Sequence, residues 1–310
     1  MFSGRRPISV WSVSALARAR LQRLRLCVQL AWTALCNGYL AGFVRGTIFT
    51  GALKNVCVPG LNCYSCPGAL GACPVGSFQA MLTGMEVRIP MYVTGFLFAF
   101  GGVLGRIVCG WLCPFGLVQD ALYKIPMSGK KRDLPGDRLL RWLKYVVLAV
   151  FVVALPLWMR DPLLNVSDPW FCKYICPSGT VMGGWPLLAA NAGLRSAAGW
   201  IFAWKSALLV LIIALSVRSY RPFCKYLCPL GAFYGFFNRI ALFRLSVEHA
   251  ACVKCGSCAR VCPMSVDMPA YPDSAECIRC GRCSDACPTG AIRLPFMKNH
   301  QPNEGSCANE

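Results

Sequence analysis

Cysteine is the residue through which this chain can do chemistry. It has 21 of them in 310 residues, and eight fall in two consecutive runs near the C-terminus, CVKCGSCARVCP from Cys252 and CIRCGRCSDACP from Cys277. Each run reads C-x2-C-x2-C-x3-C-P. At that spacing three thiolates can wrap one corner of a four-iron cubane, and the proline turns the chain away. In paired runs of this kind the fourth cysteine of each serves the other cluster. One [4Fe–4S] centre is therefore expected on Cys252, Cys255, Cys258 and Cys287. The second is expected on Cys277, Cys280, Cys283 and Cys262. Thiolates also bind zinc, but two tandem copies that both close on Cys-Pro favour iron and sulfide.

Another pattern, C-x3-C-P-x-G, occurs three times: CGWLCPFG from Cys109, CKYICPSG from Cys172 and CKYLCPLG from Cys224. Each copy supplies two thiolates on one side of a turn, as helical i, i+4 spacing does. Cys109 and Cys113 follow one apolar run, and Cys224 and Cys228 follow another. Two such pairs meeting across neighbouring helices make a further four-thiolate site. The competing reading is that buried free cysteines pack as small hydrophobes; repetition of the pair argues for the site. In a four-span topology those two pairs sit at the cytoplasmic face, and Cys172 and Cys176 fall on the opposite one, together with CVPGLNCYSCPGALGACPVG, which holds Cys57, Cys63, Cys66 and Cys73. A fourth site is expected on Cys172 and Cys176, completed by two from Cys63, Cys66 and Cys73. Disulfides are the alternative there, because they persist outside the cytoplasm. The expectation is two clusters in the C-terminal runs and one or two more in the preceding part of the chain.

The elements that hold these residues are read from composition. The chain is 56% hydrophobic with a mean hydropathy of +0.49, and only 15% of it is charged, against about a quarter in soluble domains. Four apolar stretches read as candidate membrane spans: about 27–52, 90–108, one containing the run from Tyr145 to Trp158, and from Trp200 to Val217. A fifth stretch from Val181 is broken by glycines, Pro186 and Arg195 and reads as re-entrant, with its backbone buried in protein. The predicted fold is an α-helical integral membrane protein with about four transmembrane helices, followed by an α+β ferredoxin domain of the bacterial two-[4Fe–4S] type. Its parts are a basic arm (1–26), the membrane domain (27–246), the ferredoxin domain (247–297) and a polar tail (298–310) in which Cys307 reads as a free thiol.

The net charge of +19 could suggest nucleic acid, but its distribution argues against that partner. Six arginines lie in 1–26, seven Lys/Arg between Cys109 and Lys144, and eleven from Arg218 onward, while the other two loops carry two and three. That asymmetry follows the positive-inside rule and places both termini in the cytoplasm. The location implied is the cytoplasmic membrane of a prokaryote. The basic arm is too long for a signal peptide, so the first apolar stretch reads as a retained span. Two histidines, and no C-x-x-C-H, leave haem unsupported. Arg45, Arg106 and Lys205 lie in or beside apolar runs, where charge is costly and marks function; for Arg106, snorkelling to the interface is the other reading. Trp111, Trp158, Trp170 and Trp200 read as an interfacial belt.

Together the ferredoxin runs and the membrane-edge C-x3-C-P pairs resemble the NapH/NosR-type family of membrane polyferredoxins. That family also takes in the methylamine-utilisation ferredoxin-type proteins and, more distantly, CcoG-like proteins. The resemblance implies a membrane protein that passes electrons between a cytoplasmic donor or the quinone pool and a redox partner protein. As an enzyme it would be at most an electron-transfer component of the quinol dehydrogenase type. Quinone is then a candidate cofactor, bridging clusters too far apart across the membrane; clusters recessed into the bundle are the alternative. A different function class is an accessory reductase in metalloenzyme maturation. The third C-x3-C-P pair and the Cys57–Cys73 segment depart from the simplest family pattern.

Overall fold

The computed structural model describes residues 9–85, 90–196 and 198–294, with 9–20 as backbone only. The polar tail with Cys307 and the start of the basic arm lie outside the described residues.

Nearly all regular structure is helical. Helix α1 (Ser9–Cys36) ends where Asn37 and Gly38 follow, with the Asn37 side chain donating to the Thr33 carbonyl at 3.0 Å. The apolar stretch 27–52 is therefore not one span: an amide side chain that competes for helix carbonyls, followed by glycine, stops it halfway. Next come α2 (Pro74–Leu82), α3 (Met91–Leu104), α4 (Ile107–Trp111), α5 (Pro114–Lys124) and α6 (Asp137–Trp158). A broken helix, α7 (177–190), leads to α8 (Trp200–Arg218), α9 (Pro222–Tyr226) and α10 (Pro229–Phe237). Helices α6 and α8 are long and apolar enough to cross a membrane, and α3 is apolar but shorter. Helix α3 stops at Gly105, which takes φ +54, a conformation that would strain any residue with a Cβ.

Two features of these helices serve the thiols. Pro156 has no N–H to return to the preceding turn, and α6 widens into π-helix over Val147–Ala154. The Phe151 carbonyl in that widened stretch accepts from the buried Gln79 side chain at 2.8 Å. Four Cys-Pro pairs also open a helix: proline occupies the first turn of α2, α5, α7 and α10, where its missing N–H costs nothing.

The C-terminal segment is closed by a two-stranded antiparallel pair, β1 (Ser246–Val247) with β2 (Ile292–Arg293). Between them, α11 (Ser257–Val261) and α12 (Arg282–Asp285) each follow a left-handed glycine, Gly256 and Gly281. Lys254 and Arg279, at matching positions of the two cysteine runs, both take positive φ. This segment is docked onto the helices. A Cβ on Gly110 would lie 2.3 Å from the Ile278 carbonyl oxygen, so only glycine lets the two backbones approach.

Candidate metal centres

The C-terminal cysteines form two groups, each drawing its fourth member from the other run. Cys262 lies in electrostatic contact with Cys280, Cys277 and Cys283. Cys252, Cys255, Cys258 and Cys287 line one small cavity. Burial pushes the Cys277 thiol up to about 12, and Cys258, Cys262 and Cys283 rise for the same reason. Exposed Cys255 goes the other way, lowered by hydrogen bonds from Ser257.

A third group comes from four helices. Cys109 sits in α4, Cys113 just before α5, Cys224 in α9 and Cys228 just before α10, all buried. Cys228 and Cys224 both feel Cys109 and Cys113. The Gln119 side chain donates to the Cys224 sulfur at 3.0 Å, and the Gly231 N–H approaches the Cys228 sulfur at 3.4 Å. Two fully buried guanidinium groups border the group. Arg221 makes a bidentate pair with Asp120, at 2.6 Å on both oxygens, and Arg106 bonds the Cys224 carbonyl at 3.1 Å. The glycines of C-P-x-G are the floor under these cations. A Cβ on Gly116 would stand 3.0 Å from an Arg221 nitrogen, and one on Gly231 would stand 3.2 Å from Arg106.

The fourth group is built alike. Cys73 precedes α2, Cys176 precedes α7, and Cys172 lies in the turn Phe171–Ile175. Cys172 feels Cys176, Cys73 and Cys63, and Cys176 also feels Cys63. Of the three cysteines that could complete this group, Cys63 and Cys73 are the ones brought to it. Cys66 lies within electrostatic reach of Cys63. The Lys205 ammonium bonds the Cys172 carbonyl at 3.1 Å, and Gln79 accepts the Cys172 N–H at 3.2 Å.

Every cysteine among the described residues is free, and no three His, Cys, Asp or Glu side chains among them converge as ligands of one ion. A tetrahedral zinc with bonds of about 2.3 Å would draw its four sulfurs within about 4 Å of one another. A cubane gives each thiolate its own iron and spreads them wider. Four thiols within electrostatic reach of one another, bordered by cations and N–H donors, fit a group that takes up negative sulfur charge.

Sequence reasoning missed three things. Arg106 does not snorkel: it is fully buried, bonded to the Ala275 carbonyl at 2.6 Å and to Glu276 at 3.1 Å. Trp111 is buried too and donates to the Arg279 carbonyl at 3.1 Å, whereas Trp158 and Trp200 are exposed as a belt requires. The two glutamines could have been found, since CPVGSFQ from Cys73 and CPFGLVQ from Cys113 place Gln79 and Gln119 alike. Arg45 is exposed.

The chain matches two family models described as 4Fe–4S binding domains, one over 89–135, 164–191 and 200–248 and the other over 270–293. The methylamine utilization ferredoxin-type protein MauN of Paracoccus denitrificans is 31% identical over 249 residues, covering 77% of this chain and 75% of that protein. MauN of Methylobacillus flagellatus is 32% identical over 55% of this chain and 52% of its own length. The ferredoxin-type protein NapH of Haemophilus influenzae is 27% identical over 53% and 50%. No solved structure matches significantly. The fold and its cysteine groups are those of an iron–sulfur electron-transfer protein of ferredoxin type. The chain belongs to the NapH/MauN-type family of 4Fe–4S ferredoxins.

Proposed function

We propose that this chain is a multi-pass membrane protein that carries electrons along four [4Fe–4S] sites set in one row. The sites are Cys252/Cys255/Cys258/Cys287, Cys262/Cys277/Cys280/Cys283, Cys109/Cys113/Cys224/Cys228 and Cys63/Cys73/Cys172/Cys176. When bound, such clusters accept and release single electrons. The observation that carries this reading is the shared burial of the third and fourth groups. Cys73, Cys109, Cys113, Cys176, Cys224, Cys228 and the ferredoxin-run Cys280 all belong to one packed core.

The chain's own residues supply spacing and electrostatics. Helices α6 and α8, with α3 and part of α1, make up a bundle of about four spans, with the termini and the ferredoxin domain (247–297) on the cytoplasmic side. Arg106 and Arg221 bring positive charge to the third site, and their carboxylate partners Glu276 and Asp120 hold them in place. A cavity of about 380 Å³, bounded among others by Gln22, Arg25, Asp120, Tyr220 and Arg282, adjoins the ferredoxin helix α12. It has the volume and mixed polarity a quinone ring needs. Electrons would enter from a cytoplasmic donor or from quinol and leave to a redox partner protein near the fourth site.

Iron and acid-labile sulfide per chain, measured on anaerobically purified detergent-solubilised protein, tests this reading. About 16 irons are expected. About 8 would sink it, leaving a membrane-attached two-cluster ferredoxin.

A further inference from the structure

We infer that the third and fourth thiol groups are immediate neighbours in direct electronic contact, so that no mobile carrier is needed between them. The inference rests on the four-site reading and goes beyond it, since clusters on opposite faces would otherwise face a hydrocarbon core of about 30 Å.

Three observations place the groups side by side. First, the segment 57–62 is not a surface loop: it is buried throughout. The Leu61 N–H faces the Cys113 thiol of one group, and Cys63, two residues on, is a member of the other. Two residues of fully extended chain span at most about 7 Å. A Cβ added at Gly60 would lie 3.0 Å from Cys113 Cα, so this segment runs directly against the Cys113 turn. Second, Tyr234 is fully buried and donates to the Pro59 carbonyl at 3.1 Å. It lies within electrostatic reach of Cys109 and Cys113 of one group and of Cys73 of the other. Third, Asn62, between the two attachment points, is fully buried, and neither its amide nitrogen nor its oxygen has a hydrogen-bond partner. A buried amide without a partner is costly. At this position the missing partner for its N–H is sulfur of a bound cluster.

The path is then the Cys113 turn, the Gly60–Leu61 backbone that packs against it, and two peptide units to Cys63, with the buried Tyr234 ring bonded to the same segment at Pro59. One electron leaves one site as one enters the other. No bond is made or broken, and the phenol keeps its proton on Pro59.

The test is electron paramagnetic resonance on the fully reduced holoprotein, with iron counted on the same sample. Two adjacent paramagnets split and broaden each other's signals. The expected result is an interaction spectrum in which Cys172→Ser/Cys176→Ser removes the splitting of the third site's signal by the fourth, leaving the coupling among the remaining three, with iron falling by about four. Tyr234 is probed separately by freeze-quench after partial reduction. Tyr234→Leu should slow equilibration between the two signals at least tenfold, and Tyr234→Phe should leave it unchanged. About 16 irons with a third-site signal that Cys172→Ser/Cys176→Ser leaves unchanged would overturn the inference while leaving the four-site reading intact. Equilibration in Tyr234→Leu at the wild-type rate would remove the ring from the path. About 12 irons or fewer would instead count against the four-site reading itself.

Discussion

The side-chain amide of Gln119 donates to the Cys224 sulfur at 3.0 Å while its oxygen accepts the Phe223 N–H at 3.2 Å. One glutamine thus fixes both the backbone and the thiol of α9. Gln79 is its counterpart six residues after Cys73, accepting the Cys172 N–H, but its amide goes to the Phe151 carbonyl instead of to sulfur. A hydrogen bond to a cluster thiolate stabilises the reduced, more negative state and raises the potential. Gln119→Leu should lower the midpoint of the Cys109/Cys113/Cys224/Cys228 site. The expected size, from a hydrogen bond of about 1 kcal/mol, is on the order of 40 mV for one electron. Gln79→Leu should move its own site much less, because it removes no bond to sulfur. Potentiometric titration of both variants decides this, and equal shifts would show that the contact with Cys224 has no special role.

Glu276 joins the ferredoxin segment to the helices. It pairs with Arg106 and Lys144, both fully buried. Removing one member of a buried pair leaves uncompensated charge and costs about 3–5 kcal/mol. Glu276→Gln should therefore loosen the docked segment far more than the exposed Glu248→Gln, whose partner Arg293 is half in solvent. Hydrogen exchange across 270–280 should rise in the first variant and stay near wild type in the second.

The response to acid follows from the same carboxylates. Burial raises the pKa of Glu276 and of Asp120, but Arg106 with Lys144, and Arg221 with Arg25, outweigh it and hold both below the ordinary range. A depressed folded-state value contributes stability above the unfolded-state values of about 3.9 and 4.3, and that contribution is lost as pH falls through the lower folded-state values. The melting midpoint of cluster-free protein should be flat with respect to these groups between about pH 8 and 5 and fall below about pH 4. Asp120→Asn should lower the plateau and make the acid fall shallower. An unchanged acid limb would show that Asp120 is not an ionised partner of Arg221.

Much of this was legible in the sequence because cysteine spacing is local. The C-x2-C-x2-C-x3-C-P runs specify loops whose geometry is set within a dozen residues, and α11 and α12 follow matching glycines. The pairing of Cys109 and Cys113 with Cys224 and Cys228 was readable for a similar reason, since each pair closes on a helix-opening proline. The stretch from Cys57 to Asn62 was not readable. Its sequence, CVPGLN, looks like a loop because proline and glycine punctuate it, and hydropathy cannot tell a loop in solvent from one buried among helices. Arg106 stayed open between a functional role and snorkelling because the carboxylate that neutralises it lies 170 residues away.

Asn62 offers a prediction in which two effects have opposite signs. Its buried amide has no protein partner, and without a bound group to bond it that costs about 1–3 kcal/mol. Replacing it by an apolar side chain of similar size removes that cost. Asn62→Leu should therefore raise the melting midpoint of cluster-free protein, unlike most substitutions in a packed core. In the loaded protein the same change deletes a donor to sulfur and should lower the midpoint potential of the Cys63/Cys73/Cys172/Cys176 site. A structural role alone moves both readouts the same way, since a variant that disturbs packing loses stability with or without iron. Calorimetry on the cluster-free form and potentiometry on the loaded form separate the two. If Asn62→Leu destabilises the cluster-free chain, the amide already has a partner there, and its assignment to cluster sulfur fails.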